Sequence, residues 1–184
     1  MAVVATTSGQ QERLAARLLR GAVGGILAGM VFAAVTMWFA DSTGGTANMP
    51  LHMISTIVKG DKAMAAGTTS VGIGLVVHLV LSALFGMLFA LAVPRLRTNG
   101  TVALAATLYG ALLYVLNFLV LAPLAFTTFQ DANQPFELFA HIVFGTLLGF
   151  AFYGSGVRRG EPVLAIQAAR DTTGGAPGAW SPGR

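Results

Sequence analysis

Three histidines, a glutamate inside an apolar stretch and no cysteine define the chemistry open to this sequence. His78 lies in the run VHLVLSALFGMLFAL and His141 in AHIVFGTLLGFAFYG. Aligned on histidine, both read His, three residues, a small residue, three residues, Gly: Ser82 and Gly86 follow His78, and Gly145 and Gly149 follow His141. Residues four apart share one helix face, so each imidazole heads a groove of small side chains, where another helix docks. An imidazole there bonds a hydroxyl, an amide or a carbonyl and acts as interhelical glue, with Ser82, Thr107, Tyr109, Tyr114 and Asn117 as partners of the right type. Glu137 stands one turn before His141, third in a helix opened by Pro135. First-turn amides and the helix dipole favour a carboxylate at that position.

The same residues also suit ligand chemistry. Two histidines at matched depth on parallel helices could be the axial ligands of one haem b, or nitrogen ligands of copper or zinc. Glycines one and two turns away would leave room for a flat macrocycle, and Glu137 would fix the imidazole tautomer. His52, beside Met49 and Met53, adds donor types that suit Cu(I), and otherwise reads as a wet surface residue. A third chemistry is transport, with Glu137, His141, His78 and Asn117 forming a polar path through one half of a bilayer. No charged group continues that path through the other half. Lack of cysteine excludes disulfides, thiolate metal sites, iron–sulfur clusters and a cysteine nucleophile. Ser82 follows His78 by four residues, but no GxSxG elbow, Walker A loop or Rossmann fingerprint is present.

These groups must be positioned by membrane helices. Of the 184 residues, 55% are hydrophobic and 10% charged, against about 25% charged in soluble domains. So few charges cannot cover a water-facing surface, whereas lipid needs no such cover. Glycine, at 23 residues, is what membrane helices use to bring backbones together. The spans are placed at 21–40, 71–93, 101–122 and 135–156, the third ending at Pro123. An amphipathic helix at 50–66 lies flat on the outer surface, its apolar face Leu51, Ile54, Ile57 and Val58 and its polar face His52, Ser55, Thr56 and Lys59. Residues 1–20 read as a disordered stretch with a short basic amphipathic lead-in over 12–20, and 157–184 as a disordered tail.

Nine of the 11 Lys and Arg fall on one side of that arrangement: Arg13, Arg17 and Arg20, then Arg95 and Arg97, then Arg158, Arg159, Arg170 and Arg184. That side is the cytoplasm, so both termini are cytoplasmic and all three histidines lie toward the outer face. The formal charge of +4 and pI of 10.1 are topology signals, because no basic stripe or aromatic platform for nucleic acid exists.

The first span carries its own ladder, Gly21, Gly25, Gly29 and Ala33, and the third carries Ala106 and Gly110 with Asn117 beyond. Two helical hairpins of related design follow, repeated about an axis along the membrane normal. With the first-span stretch GGILAGMVFA, the two histidine runs resemble small bacterial four-helix inner-membrane proteins, the YagU-like group and neighbouring families. The resemblance covers about residues 21–156. It implies a bacterial plasma-membrane location and a compact four-helix fold, and carries over no catalytic residue.

The expectation is therefore an all-α membrane protein, a left-handed antiparallel four-helix bundle with one outer amphipathic helix. Its role is read as non-enzymatic: an accessory or scaffold protein partnered by lipid, by other membrane subunits or by a second copy. The alternatives are a haem- or metal-binding redox subunit using His78 and His141, and a small transporter or channel.

Overall fold

The computed structural model describes residues 2–154, with side chains from residue 13 onward. All regular structure among the described residues is helical. Three stretches are long and apolar enough to cross a membrane: Arg13–Ser42, Val71–Arg95 and Asn99–Ala125. The exterior agrees with that reading, since Leu27, Val76, Leu104 and Leu124 are all at least 60% exposed. Soluble monomers avoid contiguous apolar exteriors.

Helix α1 runs unbroken over Ala2–Ser42. Residues 2–20 are continuous with the first span in this one helix: from Gln10 to Arg20 the chain holds only good helix formers and no Gly or Pro. Helix α2 spans Met49–Lys59 and a short α3 spans Lys62–Ala65. The single helix expected over 50–66 is interrupted at Gly60, whose φ of +81° suits glycine. The faces of α2 also differ from expectation. Ser55 and Thr56 are buried and Val58 is exposed. The reason is close approach: a Cβ on Gly74 of the next helix would collide with the Leu51 carbonyl, so only small side chains fit beside Leu51. The buried hydroxyls are satisfied within α2, Ser55 donating to the His52 carbonyl at 2.7 Å and Thr56 to that of Met53 at 2.6 Å.

Helix α4 spans Val71–Ala92, with Ser70 as its cap. Helix α5, Asn99–Tyr114, opens on a reciprocal Thr98–Thr101 capping box. It then widens into π turns over Val115–Leu121 and returns to α6, Ala122–Ala125. The helical path does not end at Pro123 as expected. A proline clashes with the carbonyl four residues back, and the π turns widen the ladder just there, so Pro123 stands inside the helix. Helix α7, Gln134–Phe150, is capped by Asn133, whose side chain accepts from the Phe136 amide at 3.1 Å. It stops short of residue 156, in a turn closed by Gly154 at φ +68°. The tail over 157–184 lies outside the described residues.

Helix α1 packs against α4 and α7, α5 against α7, and α2 across α4. Two seams are backbone to backbone. In the first, a Cβ on Gly86 would strike the Gly21 carbonyl, one on Gly25 the Ser82 carbonyl, and one on Gly29 the Ser82 side chain. In the second, Gly145 abuts the Ala106 carbonyl, Gly110 the His141 carbonyl and Gly149 the Ala106 side chain. Gly24, off the expected ladder, adds a third approach, to Ala151 beyond the end of α7. Helices α4 and α5 do not form such a seam. The Tyr109 hydroxyl donates to the Phe85 carbonyl at 2.9 Å and joins them, and a gap opens between α4 and the π turns.

Candidate functional site

That gap is a cavity of about 480 Å³, within the range of small-molecule sites. Phe32 and Thr36 of α1 form its back and α4 one side. The π turns form the other side, Glu137, His141 and Phe144 of α7 add to the wall, and Pro50, Met53, Ile54 and Ile57 of α2 close one end. Phe126 and Phe129, from the loop before α7, close the same end. The cavity therefore sits at the end of the molecule that carries the α1–α4 and α5–α7 connections. Its walls are apolar, with six phenylalanines, and its polar groups are Thr36, His78, Ser82, Asn117, Glu137 and His141.

The sequence places His78 and His141 at matched depth and sets Glu137, Asn117 and Ser82 with them as polar partners, and all five line one cavity. It does not bring the two imidazoles face to face. Phe32 stands between them, its ring centroid 5.6 Å from that of His78 and 4.9 Å from that of His141. Phe118 adds an edge contact to His141 at 5.5 Å. Nothing in the helix ladders singled out Phe32. A phenylalanine in the turn after Gly29 reads as ordinary core, and only the pairing of α1 with both α4 and α7 gives it two neighbours.

Hydrogen bonds fix the two imidazoles differently. His78 Nε2 lies 2.8 Å from the Gly29 carbonyl oxygen, which can only accept. His78 therefore carries its proton on Nε2, leaving Nδ1 a lone pair. His141 Nδ1 donates to the Glu137 carbonyl at 2.7 Å. Its Nε2 is then the lone pair, and Asn117 Nδ2 donates toward it at 3.4 Å. Of the expected partners, only Asn117 takes that role. Thr107 pairs with Thr146, Tyr109 with the Phe85 carbonyl and Tyr114 with Gln134. The Glu137 carboxylate does not orient His141 as expected; the backbone carbonyl does, and the carboxylate stays 3.9 Å away.

This geometry does not fit a bis-imidazole haem. His78 Nε2, the usual ligand atom, is turned to a backbone carbonyl, an aromatic ring separates the imidazoles, and the glycine grooves are filled by partner backbone. Nor does it fit the expected copper or zinc set: His52 points its Nδ1 at the Thr69 hydroxyl, 2.9 Å away, and is not in the cavity wall. Among the described residues no three His, Asp or Glu converge as metal ligands.

The arrangement can instead bind. It offers a shaped apolar volume, aromatic walls whose rings meet mostly edge to face, and a cluster of polar atoms at one end. Leu116, Val120 and Leu121 line it and also face the outside, so the volume communicates with whatever surrounds α4 and α5. No protein-family model, curated protein or solved structure matches this chain.

Proposed function

We propose that this chain is a four-span protein of a bacterial plasma membrane, with both termini cytoplasmic, and that it works as a non-catalytic accessory protein. Its cavity holds a small amphipathic molecule taken up sideways from the outer half of the bilayer. The observation that carries this reading is the cavity itself: apolar walls, a polar cluster, and a flank of Leu116 and Val120 that faces outward between α4 and α5.

Helix α7 is the fourth span under this reading. Its 17 residues give about 26 Å at 1.5 Å per residue, slightly under the roughly 30 Å hydrocarbon core. The turn over 151–154, with Phe152 buried and Tyr153 exposed, adds the remainder. The glycine seams of α1 with α4 and of α5 with α7 support two hairpins of related design. The Lys and Arg distribution supports cytoplasmic termini. Lipid, other membrane subunits or a second copy are the partners.

Two experiments test the reading. The chain has no cysteine, so single cysteines report topology cleanly. Thr43→Cys and Asp131→Cys should react with a membrane-impermeant maleimide from outside intact cells, and Arg97→Cys should not. For the cavity, 1-adamantanol should bind saturably, one per chain, to the full-length protein in lipid nanodiscs. Leu116→Trp, at the opening, should abolish that binding, and Leu104→Trp, on a remote exposed face, should leave it intact. Binding no greater than to empty nanodiscs would remove the cavity reading.

A further inference from the structure

The polar end of the cavity has a sign. We infer that the cavity selects an organic ammonium ion, an apolar body carrying a protonated amine, over neutral or anionic molecules of the same shape. The inference rests on the cavity-binding reading above and names its ligand class.

Glu137 supplies two carboxylate oxygens, and no hydrogen bond to either is present among the described residues. The nearest basic nitrogen is His141 Nδ1 at 3.9 Å, and that atom already donates to the Glu137 carbonyl. His78 offers a lone pair at Nδ1, because Nε2 donates to Gly29. His141 offers one at Nε2, opposed only by the long 3.4 Å contact from Asn117. The Asn117 side chain adds a carbonyl oxygen. Against these acceptors stand only hydroxyl and amide donors, from Thr36, Ser82 and Asn117, and the Thr36 hydroxyl already donates to the Ala33 carbonyl at 3.0 Å. Among the described residues, no Lys or Arg lines the cavity.

A carboxylate in such a place is completed by a cation that brings its own donors. An ammonium group supplies both, whereas an alcohol supplies one donor and no charge, and a carboxylic acid anion repels Glu137. The remaining wall favours the same choice. Phe32 and Phe118 contact the imidazoles, and Phe85 and Phe144 line the same cavity; aromatic faces attract cations, the more so where water is excluded. Lack of any basic wall residue also argues against the zwitterionic headgroup of an aminophospholipid, whose phosphate would find no partner. The ligand is thus an amine with a compact or single-chain apolar body and no phosphate.

Three ligands that share one cage and differ in headgroup test this: 1-aminoadamantane, 1-adamantanol and 1-adamantanecarboxylate. Each is titrated calorimetrically into the full-length protein in nanodiscs at neutral pH, with empty nanodiscs subtracted. The ammonium should bind at least tenfold more tightly than the alcohol, and the carboxylate most weakly. Glu137→Gln should remove the tenfold preference. Equal or tighter binding of the alcohol or the carboxylate to the parent protein overturns the inference, and that comparison needs no variant to fold. An undiminished ammonium preference in Glu137→Gln also overturns it. If none of the three binds above empty nanodiscs, the cavity-binding reading itself has failed.

Discussion

The Asp61 carboxylate accepts hydrogen bonds from both the backbone amide of Thr127, at 2.8 Å, and its hydroxyl, 66 residues further along the chain. Thr128 donates to the second carboxylate oxygen at 3.0 Å. The corner between α2 and α3 is thereby tied to the loop before α7, whose Phe126 and Phe129 line the cavity. These bonds, the Thr127 hydroxyl foremost, hold the carboxyl below the ordinary aspartate value of 3.8. A group depressed in the folded state contributes stability above its unfolded value and loses it as pH falls through the folded one. Asp61→Asn should therefore lower the melting temperature at neutral pH. The gap from the parent should persist down to pH 3.8 and close only in stronger acid. A gap that stays constant into strong acid would mean that the charge does not hold these loops together.

The two imidazoles should be opposite tautomers. Nitrogen-15 spectra of histidine-labelled protein are expected to show His78 protonated at Nε2 and His141 at Nδ1, each set by a backbone carbonyl. Asn117→Ala should shift the His141 Nε2 resonance and leave His78 unmoved. Identical tautomers at both sites would contradict the hydrogen bonds described above.

Glycine seams tolerate no added methyl where backbone faces backbone. A Cβ on Gly86 would meet the Gly21 carbonyl carbon at 2.8 Å and the Gly25 Cα at 3.0 Å, so neither side can give way without moving a helix. Gly86→Ala should cost about 1–3 kcal/mol, measured by unfolding in mixed micelles. Gly72→Ala is the control in the same helix, its nearest neighbour being the Ser70 hydroxyl at 3.9 Å. It should be neutral or stabilising by up to about 1 kcal/mol from helix propensity. Equal losses in the two variants would mean that close approach is not what makes Gly86 matter.

Absorption spectra separate the binding reading from the redox one. Protein from haem-supplied cells, oxidised and then reduced, is expected to show no Soret band that depends on His78 and His141. A band lost in both His78→Ala and His141→Ala would overturn the structural argument against haem ligation.

The sequence carried the long-range features that depend on one helix face at a time. The start of α4 was legible because an unbroken apolar run begins at Val71; four-residue spacing joined His78 to Ser82 and Glu137 to His141, and matched depth joined the two pairs. What escaped was set by neighbours. Ser55 and Thr56 read as a wet face until Gly74 draws the backbone of α2 onto α4. Pro123 read as a stop because single-helix rules do not foresee π turns that accommodate it. Phe32 carried no signal at all, since its importance comes from standing between two helices distant in sequence. The sign of the cavity was hidden for the same reason: the lone pairs of His78 and His141 are defined by carbonyls that only the folded chain presents.

The π turns over Val115–Leu121 have a further meaning for how the chain tolerates change in length. Each residue added to or taken from an α-helix rotates everything beyond it by about 100°. A widened turn is a place where the count of residues and the angle of the helix are decoupled. Deleting one residue there, such as Leu119, would close the ladder toward regular α-helix and leave Phe126, Phe129 and Thr127 near their present angle to α2. The cost would fall on Pro123, whose ring would again meet the carbonyl four residues back. The segment thus acts as a length buffer in the third apolar helix, and the chain should tolerate a single-residue deletion here better than one inside α5.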